Sequence, residues 1–153
     1  MNPAQLHLFF SHFPIVGLAF AILVNLYSLF NKSHEPGRLS LWFYVVLGIF
    51  ALLAYLTGDG AEKIMETYPG ITENVIEPHE NIALFFFIGL MITSGIAIIG
   101  LYVTKTKEKL LNRFTLILLI GGILLGILAG ITGSTGGAIR HTEIKQGNYM
   151  KAK

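Results

Sequence analysis

Four histidines, His7, His12, His79 and His141, are the side chains in this sequence best suited to hold a cofactor. A neutral imidazole ligates haem iron and divalent metals, and it changes charge near neutral pH. Asp59, Glu62 and Glu80 add hard carboxylate oxygens, and Arg140 precedes His141 as a two-pronged donor for a carboxylate. Two chemistries follow. In the first, a non-covalent b-type haem takes His79 and His141 as axial ligands, His7 and His12 form a second or substitute pair, and Arg140 anchors a propionate. In the second, His12, Asp59, Glu62, His79, Glu80 and His141 bind zinc, iron or manganese, and a free coordination position activates water as a membrane hydrolase would.

Groups so far apart in sequence need elements that bring them together. Of the 153 residues, 53% are hydrophobic and only 13% charged, with a mean hydropathy of +0.64; a soluble domain keeps about a quarter of its residues charged. Four apolar stretches, 8–30, 39–58, 81–103 and 114–138, are long enough for a ~30 Å hydrocarbon core, and none alternates as a barrel strand would. The first lacks a basic leader and a small-residue cleavage site, so it reads as a retained helix. The absence of cysteine excludes disulfides, thiolate ligands, iron–sulfur clusters and covalently attached haem. The net charge of +2 with no basic run excludes a nucleic-acid partner.

The expectation is an all-α integral membrane protein, a single up-down-up-down four-helix bundle over 1–153 with a short helical cap at 61–68 on its outer side. Lys32, Arg38, Lys105, Lys107, Lys109 and Arg113 fill the loops after spans one and three. The loop after span two is acidic. Basic loops stay inside, so both termini and the acidic loop face outward across a bacterial inner membrane. His34 lies in a solvated turn. At ~1.5 Å per residue, His12 and Asp59 fall about 27 Å above the inner ends of their spans, and His7, His79 and His141 fall about 35 to 40 Å above them. Pro14 is expected to distort the start of span one, and Gly58 and Gly60 to loosen the end of span two. Gly122, Gly126, Gly130, Gly133 and Gly137 form a stripe ending at His141, a wall for a haem slot or a packing face; Gly136 and Gly137 mark a turn or a backbone approach to a ligand.

The segments HLFFSHFPIVG, TGDGAEKIMETYPGI, IEPHENIA and TGSTGGAIRHTEI resemble a group of small bacterial four-helix membrane proteins with HFP, HE and GGxIRHxEI motifs, similar to a broader domain-of-unknown-function membrane family. The resemblance spans nearly the whole chain. It implies a polar outer site at His7, His12, Asp59, Glu62, His79, Glu80, Arg140, His141 and Glu143, and an association with b-type haem and respiratory electron transfer. The expected partners are the lipid bilayer, a quinone or redox partner protein, and a second copy of the chain. A cofactor-free accessory subunit held by its glycine face is the contrasting expectation.

Overall fold

A computed structural model describes residues 1–31 and 34–140; of Arg140 only the backbone is described. The chain forms four long helices, α1 (Pro3–Phe30), α2 (Glu35–Met65), α3 (Glu73–Val103) and α4 (Leu111–Arg140), with a 3₁₀ turn over Glu108–Leu110 leading into α4. Each is long and apolar enough to cross a membrane. Helix α1 starts well before its apolar run because Asn2 and Gln5 form a capping box: the Asn2 side chain accepts the Gln5 N–H at 2.9 Å and Gln5 Oε1 accepts the Asn2 N–H at 3.1 Å. Pro14 lies inside α1 without ending it.

Helix α2 runs through Gly58 and Gly60 without a break, contrary to the expected loosening, and the cap residues 61–65 are its own last turn. Gly60 has a different use: a Cβ there would lie 2.7 Å from Pro3, so its bare backbone lets the start of α1 lie close. The chain reverses at Pro69 and Gly70, the latter at φ +81°. Pro78 stands five residues inside α3, which begins at Glu73, well before the apolar run at 81–103.

The four helices pack in cyclic order. Helix α1 lies against α2 and α4, α3 lies against the same two, and α1 and α3 face each other across the diagonal with no close backbone approach. Of the buried residues of α4, Leu111, Thr115, Leu118, Gly122, Leu125, Ala129 and Thr132 alternate spacings of four and three, and Leu119 lies beside them. Phe86, Leu90, Thr93, Ala97 and Gly100 of α3 do the same, as do Pro14, Leu18, Ala21, Asn25 and Ser28 of α1. This 3.5-residue repeat is that of a left-handed bundle with interlocking side chains. The opposite faces carry exposed Leu23, Leu56, Phe85 and Ile127, as helices in lipid do.

Inside the seam, Ser28, Ser40, Thr93, Thr104 and Thr115 each return the hydroxyl proton to a carbonyl three or four residues back in their own helix. Two buried side chains depart from that habit. The Asn25 carboxamide, fully buried beside Tyr44, closes no hydrogen bond of good geometry, since Tyr44 gives its proton to the Leu118 carbonyl at 2.7 Å. The Thr132 hydroxyl is buried with no partner among the described residues. From Gly122 to Gly133 the expected glycine stripe is not a shared wall. Of these four, only Gly122 meets a neighbour tightly; a Cβ at Gly126 or Gly133 would come no nearer than 3.8 or 4.0 Å to α1, and one at Gly130 would have nothing within 4 Å. The seam passes through Gly122 and then leaves the stripe.

Candidate functional site

Followed past its apolar residues toward the acidic end, the seam reaches Ser11 and His7 on α1, Ala83 and His79 on α3, and Gly136 on α4. The 3.5-residue repeat that packs leucines in mid-membrane thus turns two imidazoles inward where the apolar runs stop. His7 and His79 are each half-buried and come from the two helices that face each other across the diagonal.

Each ring is held through Nδ1. That nitrogen of His7 lies 2.9 Å from the Ala54 carbonyl oxygen on α2, which can only accept, so His7 donates there. His79 Nδ1 lies 3.1 Å from Thr135 Oγ1 on α4. The Thr135 hydroxyl also lies 2.9 and 3.1 Å from the carbonyls of Ile131 and Thr132, and when its proton goes to either of them its oxygen accepts from His79. In that arrangement both rings carry their proton on Nδ1 and present Nε2 as a lone pair. This is the tautomer that a metal-ligating imidazole takes when a fixed oxygen acceptor orients it.

Space for the His79 ring is supplied by Gly136. A Cβ there would fall 2.9 Å from Cε1, 3.2 Å from Nδ1 and 3.5 Å from Nε2 of His79. Rather than marking a turn, Gly136 sits in an unbroken helix and admits a side chain from α3. Ala54 and Ala61 are the small buried residues at this end of α2, and the unpartnered Thr132 hydroxyl lies one turn before Gly136 on α4. Among the described residues this end of the bundle thus gathers two half-buried imidazoles and, one turn from Gly136, a buried hydroxyl without a hydrogen-bond partner.

His79 and Glu80 precede the apolar run of α3, which starts at residue 81, so the water-facing end governs their protonation. Burial pushes His79 below the ordinary imidazole value of 6.5, the nearby His7 adds to that, and a backbone hydrogen bond at Thr132 works against it. Glu80 is pushed up from 4.5, by burial first and then by Glu62 and Asp59. The consequence for stability has a definite sign. Above pH 6.5 both folded and unfolded His79 are neutral; below it the unfolded chain takes a proton that the folded site resists, so folding weakens as the pH falls. Glu80 works in the opposite sense, because its raised folded value favours the protonated form. Thermal unfolding in mild detergent is therefore expected to lose stability below pH 6.5, and His79→Gln is expected to remove that loss.

The remaining candidates lie elsewhere. His12 is exposed on the outward face of α1 and donates from Nδ1 to the Leu8 carbonyl of its own helix, so it does not share the site with His7. Asp59 is exposed, Glu62 is half-buried and Glu80 is exposed at the rim. Among the described residues, no three His, Asp or Glu side chains gather as a metal-holding group. The side chain of Arg140, and His141 and Glu143 altogether, lie outside the described residues. Sequence reasoning missed Thr135 and Thr132 as residues of this end and singled out Gly136 without its use against His79, although continuing the heptad from Leu118 through Leu125 and Thr132 leads to Gly136. No protein-family model, curated protein or solved structure matches the chain.

Proposed function

We propose that the acidic end of the bundle holds a b-type haem between His7 and His79, and that the protein carries electrons between a membrane quinone or partner and an acceptor beyond the acidic end. The observation that carries this reading is the matched pair of half-buried imidazoles on diagonal helices, each held through Nδ1 against a protein oxygen. Haem supplies four equatorial nitrogens of its own, so two imidazoles complete its coordination, whereas zinc sites take three or four protein ligands. The donor set thus fits haem better than a bare ion. When bound, the haem supplies one-electron chemistry at its iron.

The chain's own residues do the rest. The Ala54 carbonyl and the Thr135 hydroxyl fix ring orientation and keep each Nε2 unprotonated, and Gly136 gives the His79 ring its place. The apolar seam deeper in the bundle, with Leu18, Phe86, Leu90 and Leu125 buried, keeps water out from below. Exchange with partners then takes place at the acidic end.

The test is an absorption spectrum of protein purified in mild detergent after haem-supplemented expression. A Soret band with a low-spin, six-coordinate reduced spectrum is expected, changed in His7→Ala and in His79→Ala and absent in the double variant. Thr135→Val keeps the shape of the side chain but removes the Nδ1 acceptor, and a loss of about 10- to 100-fold in haem affinity is expected. No Soret band in the wild type, or a full one in the double variant, overturns the reading. Stoichiometric zinc or manganese that is lost in Glu62→Ala would assign the site to a metal ion instead.

A further inference from the structure

At the basic end of the bundle, Tyr102, Val103, Lys105, Thr106 and Lys107 line a groove of about 320 Å³ where α3 gives way to the connection before α4. Its two halves differ in chemistry. Tyr102 and Val103 belong to the last turn of the apolar run, while Lys105 and Lys107 stand in the turn beyond it, so the groove straddles the line between hydrocarbon and head groups. Glu108, the one acidic residue of this connection, is paired with Arg38 at 3.2 Å, and neither Lys105 nor Lys107 makes an ion pair among the described residues. The groove therefore presents two uncompensated ammonium groups over an apolar floor.

Below it the outward face of α3 continues the same line. Ile98, Ile99 and Tyr102 are exposed, and Gly95, seven residues before Tyr102 and hence on its face, leaves open space where a side chain would stand. An apolar track running down from a doubly cationic seat complements an amphiphile with an anionic head and acyl chains. We infer that this groove is a seat for one anionic phospholipid, its phosphodiester held by Lys105 and Lys107 and its chains lying along Tyr102, Ile99 and Gly95. The inference is independent of what the acidic end binds.

The experiment is native mass spectrometry of the full chain in mild detergent, titrated with phosphatidylglycerol or with phosphatidylcholine of the same acyl chains. Wild type is expected to retain one phosphatidylglycerol in preference to phosphatidylcholine. The double variant Lys105→Gln/Lys107→Gln is expected to lose that preference by roughly ten- to thirtyfold, as for two lysines at an anionic surface. Lys109→Gln/Arg113→Gln removes two cations of the same end that do not line the groove, and it is expected to keep the preference. Equal retention of the two lipids by wild type would overturn the inference. So would a preference that survives the first double variant and disappears in the second, because basic character at large, not this groove, would then do the selecting. A thermal melt of each variant confirms that the bundle remains folded.

Discussion

On the proposed haem reading, Gly136→Ala is expected to weaken binding at the acidic end while leaving the bundle standing. Alanine is a better residue than glycine in a helix interior by about 0.5–1 kcal/mol, so on helix propensity alone the substitution would stabilise α4. The added Cβ, however, would come 2.9 Å from His79 Cε1 and 3.2 Å from Nδ1, and the ring must move off its 3.1 Å hydrogen bond to Thr135. Haem affinity is then expected to fall about 10- to 100-fold, with the melting temperature little changed. Gly130→Ala is the control: nothing lies within 4 Å of its Cβ, so it gains propensity without displacing anything. The His79 ring resonance, followed by NMR in detergent, reports the displacement even without haem. A resonance that does not move in Gly136→Ala would refute the packing of His79 on α4.

The second large effect concerns the core. Gly122 faces the hydroxyl of Tyr44, a ring with no exposed surface, and a Cβ there would fall within van der Waals radii of that oxygen and 3.1 Å from Ile22 Cγ1. Gly122→Ala should therefore destabilise by about 1–3 kcal/mol, the usual penalty of overpacking a tight core. Tyr44→Phe removes the oxygen and the hydrogen bond to the Leu118 carbonyl, at a cost of about 1 kcal/mol. In the double variant the new methyl occupies the space that the hydroxyl has left, with the next neighbours at 3.1 and 3.3 Å. The two costs should fall short of additivity by about 1–2 kcal/mol. Unfolding in mixed micelles of increasing denaturing detergent measures all four corners of this cycle, and strict additivity would show that Gly122 and Tyr44 do not share the space described.

Helix number and type were legible in the sequence because runs of about 20 apolar residues have one common solution in lipid. Helix ends were less so. The Asn2–Gln5 box lies ahead of the apolar run that marked the first span, and local propensity ranks Gly58, Gly60 and Pro14 as breakers although the helices pass through them without interruption. The glycines misled for a related reason. Spacing alone put Gly126, Gly130 and Gly133 on one face with Gly122, but small residues read the same whether they meet a partner or lipid. The seam is set by where large side chains alternate at three and four, and it selects Gly122 and Gly136 instead.

The candidate site was half legible. That His7 and His79 belong to one end of the bundle follows from counting residues along antiparallel helices. That His12 does not join them shows only in the fold, where Pro14 leaves α1 unbroken and His12 is exposed against its own Leu8 carbonyl. What counting does not give is the second layer, the Ala54 carbonyl and the Thr135 hydroxyl, because these acceptors become visible only once two helices are side by side.

The cyclic order of the helices has a consequence for assembly. His7 is oriented by Ala54, a partner within the α1–α2 hairpin, and His79 by Thr135 and Gly136, partners within α3–α4. Each half of the molecule therefore contains the groups that orient its own imidazole. A haem between them would act as a clasp across the joint, and the two hairpins made as separate chains are the units that it would fasten together.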